Sequence, residues 1–301
     1  MEKLLGAFYL SLAAGIWGGM YVVSKYVLDF VPPLTLVVLR FIIASVVLGL
    51  IFLATRDKPV AKEDIKLMAW LGFIGYTVSI GAQFAGTWLS SAHMGAVITS
   101  ASPAFIVIFG VLLLKEKITL TKIIALVIAT AGVGVVVGIG GEDLAGGSLA
   151  GNLFLVLAAV SWALYSVLGK IATRKYSSLA VTLYASLFGV VFTGPLSLWE
   201  LTKLPAHPLA NHWVWLGILY LGIVSTAGAF YFWNKGFELM DASSAAIFFF
   251  VQPVLGSLLG WLILNEHLET NFFIGGAMIL AGVAITSFIP DTTGPKKESV
   301  S

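Results

Sequence analysis

Charge is what this sequence has least of. Of 301 residues only 11% are Asp, Glu, Lys or Arg, too few to cover the surface of a water-soluble domain. Cysteine is absent altogether, which removes disulfides, thiolate nucleophiles and thiolate metal sites. No G-x-x-x-x-G-K-[ST] loop occurs, so ATP is not the direct energy source. All fifteen acidic residues fall at the ends of apolar runs or between them, leaving no carboxylate in mid-run to act as a proton relay. The four histidines, His93, His207, His212 and His267, show no H-x-x-x-H or H-E-x-x-H spacing, and no resident metal or cofactor is expected. A net charge of +2 is too small for a nucleic-acid surface.

What is present is hydrocarbon. Apolar side chains make up 59% of the chain and the mean hydropathy is +0.99. The runs are continuous rather than alternating, which excludes a β-barrel, and each is long enough to cross about 30 Å as a helix. Spans are placed at 4–28, 34–55, 67–90, 92–114, 120–139, 149–171, 177–199, 213–234, 242–264 and 271–289. The first run carries no A-x-A-type cleavage site and is taken as a span rather than a signal peptide. Fourteen of the seventeen Lys and Arg residues then fall on one side, only Lys203 falls on the other, and Lys25 and Arg40 lie within spans. The positive-inside rule makes that richer side cytoplasmic and puts both termini there.

The chain compares well with itself. Trp17-x3-Tyr21-x3-Lys25 matches Trp162-x3-Ser166-x3-Lys170 at an offset of 145. Ala92, Pro103, Glu116 and Ala131-Gly132-Val133 match Ala242, Pro253, Glu266 and Ala281-Gly282-Val283 at an offset of 150. The expected architecture is an all-α integral membrane protein of ten transmembrane helices: one five-helix repeat over 1–145, a second over 146–290, and a polar cytoplasmic tail over 291–301. Five is odd, so the second copy enters the membrane inverted. Carriers use such inverted repeats for alternating access around a site near the midplane.

These residues carry a resemblance. The early Trp of each half (Trp17, Trp162), the Leu39-Arg40-Phe41 step, and the small-residue helix entering Pro103 with Glu116 thirteen residues later resemble the ten-helix EamA-type branch of the drug/metabolite transporter superfamily. Ser243-Ser244-Ala245-Ala246 before Pro253 and Glu266 repeats the last of these. The resemblance implies an inner-membrane permease, often an exporter of amino acids or other small metabolites. Its cavity would lie between the first four helices of each half, with helices 5 and 10 peripheral.

Candidate site residues follow from polarity inside spans, where lipid exposure is costly. Trp17 and Tyr21 in span 1 and Trp162, Tyr165 and Ser166 in span 6 offer aromatic faces and donors on equivalent helices. Span 3 carries Tyr76, Ser79 and Gln83 at helical spacing. Ser100, Ser102 and Gln252 lie beside Pro103 and Pro253, which remove helical hydrogen bonds and are candidate hinges, and could satisfy the freed carbonyls or contact ligand. Phe248 is taken as the cavity-facing member of Phe248-Phe249-Phe250, though spacing alone does not choose among the three. Arg40 either binds carbonyls and an acid on another helix or attracts an anionic substrate group. Glu116 and Glu266 are either solvated helix ends or a pair of gates. Close helix contacts are expected at Gly134-x3-Gly138 and Gly256-x3-Gly260.

The sum is a secondary transporter, as an exporter, of amino acids or related apolar or aromatic zwitterions. Its partners are a small-molecule substrate and the bilayer, with the protein a monomer or weak homodimer. The rival class is a membrane-embedded enzyme or metal-dependent protein using the outward-facing His and Glu loops.

Overall fold

A computed structural model of the chain describes residues 2–89, 98–137, 149–203, 211–264 and 270–288. These are mostly helical, with no strand among the described residues. In chain order they form α1 (Glu2–Leu28), α2 (Pro33–Thr55), α3 (65–89), α4 (Ser102–Leu114), α5 (Leu120–Val137), α6 (Leu149–Thr173), α7 (Ser178–Leu201), α8 (His212–Leu239), α9 (242–264) and α10 (Thr270–Phe288). Pro33–Thr55, Lys62–Gly86, Leu149–Thr173, Ser178–Leu201 and His212–Leu239 are long and apolar enough to cross a membrane by length and composition. Their outer faces are apolar too: Leu50, Leu53, Leu112 and Leu198 are exposed, an arrangement that suits hydrocarbon and not water.

Helix ends follow local chemistry. Pro33 opens α2, where a missing N–H costs nothing, and Arg56 closes it in the left-handed region at φ 52°. Lys115 does the same after α4 at φ 57°, and Glu116 N–H returns to the Gly110 carbonyl. α8 runs on to Leu239, beyond the expected end at 234, and its last turn holds a Lys235–Glu238 pair at 2.7 Å.

Three helices depart from regular winding. α3 is a π-helix over Gly72–Ser79, α8 is one over Tyr220–Gly228, and α9 tightens to 3₁₀ over Ile247–Phe250, just before Pro253. Both forms concentrate at functional sites in membrane and soluble proteins alike.

Packing runs across the chain's midpoint. α1 lies on α8 and α9, α2 on α7, α3 on α6, α4 on α6 and α9, and α5 on α10. The α5–α10 contact is nearly backbone on backbone. A Cβ at Gly132 would stand 2.7 Å from the Gly275 carbonyl, and one at Gly282 would stand 2.8 Å from the Ala125 carbonyl. One close approach on α5 is therefore at Gly132. Gly138 and the surroundings of Gly256 and Gly260 lie outside the described residues and side chains.

Substituting Gly132 or Gly282 by Val is expected to cost about 1–3 kcal/mol through overpacking. Folded yield in detergent should fall, while any variant that folds should bind ligand as the wild type does. Size-exclusion recovery together with ligand titration checks this, and normal yield for both variants would contradict it.

Candidate functional site

A cavity of about 610 Å³ lies between the helices of the two halves, lined from α1, α2, α3, α4, α6, α8 and α9. Among the described residues none of the lining comes from α5 or α10. Along α1 the lining residues are Trp17, Met20, Ser24 and Leu28, a stripe at three- and four-residue spacing that runs to the turn before α2, where Pro33 joins.

Aromatic rings close the other end. Trp17 and Trp162 meet edge to face with centroids 5.2 Å apart, and Phe230 packs edge-on against both at 5.4 and 5.5 Å. Trp233 supports this floor from behind, 5.3 Å from Trp17 and 5.8 Å from Trp162. Trp17 donates its indole N–H to the Ser225 carbonyl at 3.0 Å, inside the π segment of α8. Of the expected residues, Trp17, Ser79, Gln83, Trp162 and Gln252 line the cavity. Ser79 donates to the Ala158 carbonyl at 3.1 Å.

Four expected lining residues sit behind the wall, two through the winding of α3 and α9 and two through local bonds of α6. Tyr76 lies within the π segment of α3, which turns it off the face of Ser79 and Gln83. It is fully buried against Phe41, Tyr165 and Phe230. Tyr165 is buried likewise and accepts from Asn234 Nδ2 at 3.0 Å. Ser166 gives its hydroxyl proton to the Trp162 carbonyl at 2.9 Å and accepts from Trp233 Nε1 at 3.0 Å, so it is buried with no proton left to donate to a ligand. Phe248 is buried, and Phe249 lines the cavity instead. In a 3₁₀ turn positions three apart eclipse, so Phe249 shares the face of Gln252 and Phe248 does not. Ser100 is half-buried on the approach to Pro103 and is not among the lining residues. The side chain of Tyr21 and the whole of Glu266 lie outside what is described.

Met20, Ser24, Phe84, Thr99 and Phe230 also line the cavity where residue types gave no warning, although the α1 stripe was readable from Trp17 by spacing. Ser102 also lines it and caps the Thr99 carbonyl at 2.7 Å, the one that Pro103 cannot reach.

Arg40 reaches the cavity from α2 while only 2% exposed. Its Nε donates to Thr226 Oγ1 at 3.1 Å, and Nη2 contacts Met20 Sδ at 3.3 Å and Ser225 Oγ at 3.5 Å. The acid on another helix that would balance it is absent among the described residues.

Two carboxylates join the halves at helix N-termini, where N–H groups are unsatisfied and the dipole favours negative charge. Glu200 on α7 accepts from Leu34 N, Thr35 N and Thr35 Oγ1 at the start of α2, at 3.0, 2.8 and 2.9 Å. Glu116 accepts from Ala242 N, Ser243 N and Ser243 Oγ at the start of α9, at 2.7, 3.0 and 2.7 Å. Glu116 is thus a helix cap across the halves rather than a solvated helix end. Beside it Asp241 caps Ser244 N at 3.0 Å and pairs with Lys122 at 2.8 Å. Burial disfavours the charged Asp241, but the Lys122 pair and the Ser244 bonds outweigh it and hold its carboxyl below the usual range.

The EamA-like transporter family profile matches residues 4–138 and residues 149–288. The chain belongs to the EamA-like transporter family. Among curated relatives, the uncharacterized transporter YetK of Bacillus subtilis (strain 168) is 32% identical over 292 residues, covering 95% of this chain and 88% of that protein. An uncharacterized transporter of Archaeoglobus fulgidus is 27% identical over 277 residues, covering 92% and 96%. A solved crystal structure superposes with a TM-score of 0.81 at 23% identity over 96% of this chain and 99% of that one, which shows a shared fold. The EamA-like chain is therefore a multi-pass membrane transporter and not an enzyme.

Asp241 supplies a test of the α9 cap. A carboxyl depressed in the folded state stabilises above its unfolded pKa of about 4 and loses that contribution as pH falls through the lower folded value. Asp241→Asn keeps an acceptor for Ser244 N but leaves Lys122 unpaired, and should lower the thermal midpoint at pH 7 by the equivalent of up to about 1 kcal/mol. The gap to wild type should shrink below about pH 4. A gap that is the same at pH 7 and pH 3 would contradict the assignment.

Proposed function

We propose that this chain is a secondary transporter of amino acids or related apolar or aromatic zwitterions, moved outward by alternating access. One observation carries the reading: a cavity sized for a small metabolite, walled by Trp17, Trp162, Phe230 and Phe249, with Gln83 and Gln252 among its polar groups. Aromatic walls suit an apolar body and attract an ammonium through their faces.

Several features support the rest. With both termini cytoplasmic, as the lysine asymmetry argues, the Leu28–Pro33 end of the cavity faces outward and the Trp17–Trp162 floor and Glu116 cap lie toward the cytoplasm. Such an arrangement is the outward-facing half of a transport cycle in the cell's inner membrane. Pairing of α2 with α7 and α5 with α10 fits two inverted five-helix repeats. Pro103 and the 3₁₀ turn before Pro253 are the natural hinges. A single chain encloses the cavity, so the monomer is the transport unit, whether or not a weak dimer forms.

Counterflow in reconstituted vesicles tests this. Saturable exchange of radiolabelled leucine, phenylalanine or tryptophan is expected, and Trp17→Ala should reduce it about tenfold or more through loss of the aromatic floor. Exchange confined to phosphorylated sugars or doubly charged cations would overturn the substrate class.

A further inference from the structure

Among the described residues no anion balances the charge of Arg40. A guanidinium held at 2% exposure is costly unless an anion accompanies it. Its described partners, Thr226 Oγ1, Met20 Sδ and Ser225 Oγ, are all neutral, one of them a thioether. Nη1 has no hydrogen-bond partner among the described residues. A neutral side chain of the same reach would fill this place at lower cost.

The cavity around it is short of partners in a particular sense. Ser24 Oγ, Trp162 Nε1 and Gln252 Oε1 are buried polar atoms without a hydrogen bond, and all three residues line the same cavity as Arg40. Each of the three is more than nine-tenths buried, with exposures of 6%, 7% and 8%. Unsatisfied groups of this kind are uncommon in native proteins and call for a reason. Here the unused groups are unbalanced: Arg40 Nη1, a hydroxyl and an indole N–H can donate, and one amide oxygen accepts.

We propose that Arg40 is the anchor for a carboxylate of the transported solute, with Ser24 and Trp162 as supporting donors and Gln252 Oε1 as the acceptor for its N–H or ammonium. A carboxylate presents two oxygens to the planar fork, the geometry in which guanidinium binds most strongly. Arg40 is the one formally charged side chain lining the cavity among the described residues, so a single negative charge is neutralised there. A phosphate dianion would retain net charge in a low-dielectric space and be excluded. The assignment deepens the zwitterion reading, and it ranks the two ends of such a solute: the carboxylate is required, while the ammonium adds to binding without being essential.

The test uses the purified full-length protein in detergent and equilibrium titration with two probe sets. One is tryptophan, indole-3-propionate and tryptamine; the other is leucine, 4-methylpentanoate and 3-methylbutylamine. In the wild type each carboxylate should bind about tenfold or more tighter than the amine of its set, as expected for a charge-assisted pair. Arg40→Gln, checked for folding by size exclusion, should erase that difference by weakening the carboxylates alone. Arg40→Lys, which keeps the charge and loses the fork, should fall between the two. An amine binding as well as its acid in the wild type, or unchanged carboxylate affinity in folded Arg40→Gln, would overturn the proposal. The wild-type comparison decides the matter even if both variants misfold. Arg40-dependent binding of indole-3-propionate without counterflow of any amino acid would overturn the amino-acid reading and uphold the anchor. Amino-acid counterflow indifferent to Arg40→Gln would do the reverse.

Discussion

Where α8 widens between Tyr220 and Gly228, its carbonyls leave the regular ladder, and a helix in hydrocarbon cannot leave them bare. The side chains that satisfy them shape the cavity. Trp17 donates to the Ser225 carbonyl and is thereby fixed as the floor, while Thr226 donates to the Leu221 carbonyl at 2.7 Å and uses its lone pair to hold Arg40 Nε. One irregular turn thus sets an aromatic surface and a cation side by side.

Neither half of the chain could make this site alone. Every lining wall has a neighbour from the other half, and the two carboxylate caps reach across in both directions, Glu200 to α2 and Glu116 to α9. The caps also explain how a chain so poor in charge uses its acids. An anion at a helix N-terminus meets several N–H groups at once, so one carboxylate does the work for which a soluble protein would use water.

Much of this was legible in the chain before its folding was known. Continuous apolar runs gave an all-helical membrane protein, and Trp17 and Trp162 were found as a pair because their helices match at a constant offset. Polarity within a span correctly marked Ser79, Gln83, Gln252 and Arg40 as interior. What could not be read was which interior. Tyr76, Tyr165 and Ser166 are as polar as their cavity-facing neighbours, and only the π winding of α3 and the local bonds of α6 turn them into the wall. Phe248 and Phe249 differ by one position, and the choice between them rests on a 3₁₀ turn that no residue type announces. Glu116 looked like an ordinary helix end because its partner N–H groups lie 126 residues away in sequence.

The tyrosines behind the wall are seated in a way that constrains motion. Tyr165 occupies the place where a Cβ of Gly75 would be, 2.3 Å from its Cδ2, and Tyr76 does the same at Gly189, at 2.8 Å from its own Cβ. Each side chain is a key in a keyway cut by a glycine, and the keys interlock α3 with α6 and α3 with α7. Sliding α3 along either neighbour requires a phenol to climb out of its slot past backbone, against close packing with no slack to absorb it. These three helices therefore move as one block, and whatever shear the protein undergoes is left to contacts outside that block.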